Sequence, residues 1–177
     1  FAGYNSDTRS YFKNRIFASP QGTSFSTSGN QPTAENMMFY ERKAMGGAAS
    51  VCIGDSVVDS ELGMGNGPHL KMDNFGNCVH LNRLTRGITR HGAVASIELN
   101  HCGSSARLSY DMGHTIYGAV ATRTDNFHHA DGAVIAQELP PEIIGRAIQK
   151  SPRAAPFSTT NRTRLFTPHS HHATLPT

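Results

Sequence analysis

The run Ala49-Ser50-Val51-Cys52-Ile53, closed by Gly54-Asp55, decides the fold. Its side chains are small or apolar throughout, and none is charged before Asp55. A strand with one face in water alternates polar and apolar residues, whereas a strand covered on both faces does not. The run therefore predicts an interior strand of a parallel sheet over Ala49–Ile53, with Gly54-Asp55 at its C-terminal end.

Helical patterns stand on both sides of this strand. Upstream, Thr33 sits where its hydroxyl can accept a hydrogen bond from a free N–H of a first helical turn. Glu35 suits the positive end of the helix dipole. Met37, Tyr40 and Ala44 then recur on one helical face, and Gly46-Gly47 supplies the turn that ends the helix. Downstream, a Gly-rich loop over Asp59–Lys71 leads to Asp73, a candidate cap for a second helix with Leu81, Leu84 and Ile88 on one face. Ala93–Leu99 reads as a further strand, and Arg15–Ser19, ahead of Pro20, as an earlier buried one. Strand, helix, strand, helix, strand implies right-handed βαβ units and a parallel sheet.

Residues 100–137 show no sustained period and read as a long functional loop. Pro140-Pro141-Glu142 opens a third helix through Ile143, Ile144, Ala147 and Ile148, since Pro is tolerated in a first turn. Beyond Lys150 the pattern breaks. Ser151–Thr177 mixes Pro, His, Arg, Ser and Thr with isolated apolar residues and is expected to be disordered.

Charge excludes some functions. The whole chain carries +3, and Arg153, Arg162 and Arg164, with no acidic residue after Lys150, account for all of it. Residues 1–150 are thus balanced and offer no basic excess for nucleic acid or anionic lipid. No apolar run approaches the ~20 residues that span a bilayer, and no secretory leader is visible. Cys52, Cys78 and Cys102 are widely spaced, which suits small packing residues in a reducing, cytoplasmic compartment rather than disulfides or metal ligands. His169, His171 and His172 lack the spacing and support of a metal site. Phe1 in place of Met suggests a missing start.

Several ordered stretches together resemble the NADH:flavin oxidoreductase family that includes old yellow enzyme and 2,4-dienoyl-CoA reductase. Lys13-Asn14-Arg15-Ile16-Phe17-Ala18-Ser19-Pro20 looks like its first barrel strand, and Phe39-Tyr40-Glu41-Arg42-Lys43-Ala44-Met45-Gly46-Gly47 like its first helix. Gly67-Pro68-His69-Leu70 is similar to the segment before its second helix. His91-Gly92-Ala93 through Ile97-Glu98-Leu99-Asn100-His101 is similar to its third strand and following loop, and Glu138-Leu139 through Ile148 to a later helix. Ala48-Ala49-Ser50-Val51 and Gly54-Asp55 lean toward the bile-acid-inducible subgroup.

The resemblance implies an α/β fold: the N-terminal portion of a (β/α)8 TIM barrel, with about three parallel strands and crossover helices, left incomplete. Such barrels take ~250 residues to close. Residues 1–150 would be a partial FMN-binding domain, and residues 151–177 a disordered or frame-shifted tail. FMN would be the cofactor and NAD(P)H the hydride donor. An iron–sulfur cluster would belong only to a full-length relative. The substrate would be a small molecule, an enone or enoyl thioester.

In such a barrel the reacting groups sit at the C-terminal strand ends. The resemblance places Pro20, Gln21 and Gly22 beside the flavin, with Gly22 allowing close backbone approach. Glu98 falls where most relatives carry Gln, and an ionised Glu can only accept hydrogen bonds. Asp55 falls where relatives often carry Gly or Ala, and its carboxylate would disfavour the negative charge of a reduced flavin. Asn100 and His101 would line the substrate side, with His101 either bonding a carbonyl or holding the loop. Arg107 reads as a solvated loop residue, with an acidic substrate group as the alternative. The family's His-His or His-Asn clamp and proton-donating Tyr would follow the next strand, beyond Lys150, so no catalytic residue is assigned. The isolated chain is therefore expected to show no turnover. A non-catalytic polypeptide, surviving as an oligomerising half-barrel, is the alternative.

Overall fold

A computed structural model describes residues 3–5, 10–124, 134–146 and 165–170. The chain opens with an antiparallel pair, β1 (Gly3–Asn5) and β2 (Ser10–Phe12). Then come β3 (Phe17–Gln21), α1 (Ala34–Met45), β4 (Ser50–Val57), the short β5 (Leu70–Lys71), α2 (Cys78–Thr89) and β6 (Val94–His101). After these follow α3 (Arg107–Asp111), β7 (Tyr117–Gly118), β8 (Thr122–Thr124), β9 (Val134–Glu138) and β10 (Leu165–Ser170).

The strands β3, β4, β6 and β10 lie side by side, all parallel, in chain order. Unbroken chain order distinguishes barrel winding from a doubly wound sheet, where the order reverses at a switch point. The arrangement is an incomplete (β/α)8 barrel, and no closed barrel forms among the described residues.

The quoted run is the sheet's interior, as its composition predicts. Every residue of β4 is buried except the half-buried Asp55. Helices α1 and α2 pack on the sheet and on each other, burying Tyr40, Ala44, Leu81, Leu84 and Ile88 against Val51, Ile53, Ala95 and Ile97. Each fully buried large aliphatic side chain contributes about 1.5–3 kcal/mol. Thr33 caps α1 through its side chain, accepting from the Asn36 N–H at 3.2 Å. Gly47, at φ 100°, takes the left-handed turn after the helix that side chains disfavour.

Several expectations are corrected. The strand expected at Arg15–Ser19 is β3, Phe17–Gln21, and it alternates between exposed and half-buried residues. Its one strand neighbour among the described residues is β4. Asp73 does not cap the second helix: Asn74 does so for the preceding turn, accepting from the Gly76 N–H at 2.9 Å. Asp73 instead receives the Ser60 N–H at 2.8 Å. The central strand runs on to Val57 and the third to His101, so Asn100 and His101 are strand residues.

Residues 100–137 are not one loop. They hold α3 and a small sheet in the order β7-β9-β8, over a second core of Cys102, Ala106, Ile116, Val134 and Ala136. The segment after Lys150 is not disordered throughout, because β10 pairs with β6 over its whole length. Residues 141–146 are helical as expected, and the remainder of that expected helix lies outside the described residues.

Candidate functional site

The three predicted segments converge at the C-terminal ends of β3, β4 and β6. Gln21 pairs with Ile53, and an added Cβ on Gly54 would lie 2.4 Å from the Gln21 nitrogen. Only glycine permits this approach of the two strands. Tyr40 fastens it from α1, donating its hydroxyl to the Gln21 carbonyl at 2.7 Å and accepting the Gly54 N–H at 3.2 Å. Burial pushes the Tyr40 hydroxyl up to about 12, so it stays a neutral donor. Lys43, on the same helix, donates to the Gln21 side-chain oxygen at 3.0 Å.

Asp55 is the hub of the rim. Its φ of 57° is left-handed, a conformation Asp tolerates better than most residues. The register between β4 and β6 shifts between Ile53 and Ser56, and Asp55 lies inside this irregularity. Its N–H donates to Glu98 Oε2 at 3.1 Å. Its carboxylate receives Asn100 Nδ2–H at 2.6 Å on Oδ1. Oδ2 lies 2.6 Å from His69 Nδ1. The same oxygen would stand 3.1 Å from a Cβ placed on Gly22, so it leans over that glycine.

His69 is the residue that sequence reasoning missed. It belongs to Gly67-Pro68-His69-Leu70, which carried resemblance but no assigned chemistry. The loop folds back because Asn30 donates to the His69 carbonyl at 2.8 Å, and the imidazole is buried at 8% exposure. With Nδ1 set against the Asp55 carboxylate, Nε2 faces Gly65, where an added Cβ would come within 2.9 Å of it and 2.7 Å of Cys102 Sγ. Burial pushes the Cys102 thiol up to about 11. A solitary carboxylate at a strand end, followed by a lone His in a Gly-rich loop, was the available signal.

Not every predicted residue joins the hub. His101 Nδ1 accepts the Gly103 N–H at 3.1 Å, and its ring lies against Gly63, so it holds the turn after β6. Arg107 pairs with Asp111 four residues on, at 3.0 Å, within α3. Pro20 is half-buried on β3 just before Gln21. Unexpectedly, His169 of β10 comes into register with Asn100; His171 and His172 lie outside the described residues. A polar cavity of about 140 Å³ opens beside the hub, lined by Gly22, Asn36, Tyr40, Asp55 and His69 among others.

No protein-family profile and no curated protein matches the sequence. Solved structures do match. Old Yellow Enzyme from Pichia sp. AKU4542 aligns with 92% of this chain and 43% of its own, at 15% identity and a TM-score of 0.81. The old yellow enzyme homologue from Zymomonas mobilis aligns over 90% and 45%, at 19% identity and 0.76. Morphinone reductase in complex with tetrahydroNAD aligns over 90% and 46%, at 14% identity and 0.78. The fold is that of the old yellow enzymes. The chain spans less than half the length of each of these three.

The old yellow enzyme fold frames a test of whether a flavin suits this rim. Gly22 is exposed, and the three atoms nearest its Cβ position, at 3.1, 3.3 and 3.7 Å, all belong to the Asp55 side chain. A flat ring would meet the exposed Gly22 backbone from the side that the Asp55 carboxylate leaves open. The neighbouring donor fits less simply, because the Asp55 N–H already serves Glu98. The cavity of about 140 Å³ is itself smaller than the ~300 Å³ of ordinary ligand pockets. A ring would extend over the open rim rather than sit inside.

Proposed function

We propose that this chain belongs to a flavin-dependent oxidoreductase of the old yellow enzyme family, moving hydride from NAD(P)H through FMN to an activated alkene such as an enone or enoyl thioester. One observation carries the reading: Gln21–Gly22, Asp55, Glu98 and Asn100 meet at the strand ends where barrel enzymes hold their reacting groups. FMN, when bound, would supply hydride chemistry that side chains cannot perform. Pro20, Gln21 and Gly22 would hold the ring by backbone approach. Glu98 would act indirectly, as acceptor for the Asp55 N–H, and Asn100 by orienting the Asp55 carboxylate. An iron–sulfur cluster has no part in this reading.

The test uses the purified chain. FMN fluorescence quenching is expected on titration, showing a saturable site. Addition of NADH and an enone is expected to give no sustained turnover, because the clamp and proton donor implied by the family are not among the residues assigned. Folded protein that leaves FMN fluorescence unchanged would refute the reading.

A second reading, a non-catalytic half-barrel that self-associates, is favoured by the β3 edge. Phe17 is 53% exposed and Ile16 62% exposed beside a strand with one described neighbour. Open edges of this kind recruit further strands. Size-exclusion chromatography with light scattering separates a defined oligomer from a monomer.

A further inference from the structure

We propose that His69 is a positioning residue of the rim, which sets through Asp55 the charge met by any ring that approaches Gly22. This rests on the flavin reading above. Asp55 is an awkward residue for its place: it is held at a left-handed φ of 57°, where glycine would sit without strain. Backbone strain kept at a rim points to a side chain that is needed there. The carboxylate leans over the exposed Gly22.

Left alone, that carboxylate would repel a ligand carrying negative charge. Two neighbours lie against it: Asn100 Nδ2–H donates to Oδ1 at 2.6 Å, and His69 Nδ1 stands 2.6 Å from Oδ2. A hydrogen bond to a charged acceptor, such as that from Asn100, is shorter and stronger than a neutral one. The two neighbours differ in kind. Asn100 is a neutral amide, whereas the imidazole also carries charge whenever it holds a second proton. His69 is buried, and the bond from Asn30 to its backbone carbonyl holds the loop that carries it beside Asp55. The remaining carboxylate at the rim, Glu98, already accepts the Asp55 N–H. His69 is thus the group placed directly against Asp55 that can offset its charge, whereas the cation of Lys43 stands on the Gln21 side chain.

The experiment compares affinities for oxidised FMN and for dithionite-reduced FMN, whose ring gains negative charge, using the full chain. His69→Ala is expected to weaken binding of reduced FMN roughly tenfold or more relative to oxidised FMN, the scale of a lost interaction with a charged group. In an Asp55→Asn background the same change is expected to leave the ratio unaltered, because there is no carboxylate to shield. An unchanged ratio in His69→Ala, or an equal change in both backgrounds, overturns the proposal. If circular dichroism shows His69→Ala unfolded, His69→Leu, which fills the space without a donor, takes its place under the same criterion. Nitrogen NMR of the histidine rings without FMN is expected to show the Nδ1-protonated form of His69, altered in Asp55→Asn, and a proton resident only on Nε2 would also overturn it. Wild-type protein that binds FMN in neither state removes the flavin reading itself. Binding with an unchanged ratio removes only the role of His69.

Discussion

Glu98 reaches from β6 to accept the backbone N–H of Asp55 on β4, Oε2 to nitrogen 3.1 Å, across the point where the two strands lose register. The bond replaces a ladder contact that the irregularity removes, so the side chain completes the sheet. Either Glu or Gln can accept here, because the amide oxygen is as available as a carboxylate oxygen. Glu98→Gln is therefore expected to keep the melting temperature within a degree or two, whereas Glu98→Ala should destabilise by about 1–2 kcal/mol. Thermal melts followed by circular dichroism check both, and an equal loss in the two variants would show that charge, not acceptance, matters.

Gly54 is set against the Gln21 backbone, with nitrogen, carbonyl carbon and Cα all within 3 Å of a Cβ placed there. Neither strand can yield, since the atoms are main chain. Gly54→Ala should abolish cooperative unfolding or cost at least ~3 kcal/mol. Gly145, helical and with nothing within 4 Å of its Cβ position, is the control. Gly145→Ala should stabilise by ~0.5–1 kcal/mol. Urea titrations of the two proteins decide.

The buried hydroxyl of Tyr40 and the buried thiol of Cys102 predict an alkaline transition. Burial raises Tyr40 from 10.0 to about 12 and Cys102 from 9.0 to about 11. In each case the unfolded chain ionises first. The contribution of Cys102 is full below pH 9 and lost as pH rises through about 11. That of Tyr40 is full below pH 10 and lost through about 12. Each amounts to on the order of 2–3 kcal/mol. Stability should fall between pH 9 and 12, with Cys102→Ala removing the earlier part and Tyr40→Phe the later. Denaturant midpoints against pH test this, and flat profiles through pH 11 in the wild type would contradict it.

Arg146 clamps the helical residues 141–146 onto the loop after β4. Its guanidinium donates twice to the Asp59 carboxylate, at 2.8 and 3.0 Å, and also pairs with Glu61. Asp59 is 1% exposed, while the arginine side chain is 29% exposed. Removing the arginine takes two charged donors from a buried carboxylate, so Arg146→Ala should cost about 2 kcal/mol, less than the ~3–5 of a fully buried pair. Hydrogen exchange should rise first at the Glu61 and Leu62 amides, which donate to the same Asp59 oxygen. Uniform exchange across the chain would argue against a local clamp.

Much of the architecture was legible because it rests on local periodicity. Thr33, Tyr40 and Ala44 announced α1, and Leu81, Leu84 and Ile88 announced α2, since a helix face repeats regardless of its partners. The unalternating run ending at Ile53 declared an interior strand for the same reason. Edges and caps were less legible. Asp73 and Asn74 are equally good caps by composition, and the competing Ser60 N–H is visible only in three dimensions. The strand at Leu165–Ser170 has no pattern of its own; its conformation depends on the pairing edge that β6 presents. His69 was passed over because a lone histidine in a glycine-rich loop carries no local signature of its partner.

The amino-acid order alone determined that parallel strands alternate with helices and that Gln21–Gly22, Asp55 and Glu98 belong to the C-terminal halves of strands or just beyond them, because side-chain spacing encodes which face of an element is buried. Only the tertiary structure decided that Asp55 turns left-handed and gathers His69, Asn100 and Glu98 around one peptide unit. The physical reason is range: periodicity acts over a few residues, whereas these bonds join side chains from separate elements, and their geometry exists only once β4 and β6 have paired.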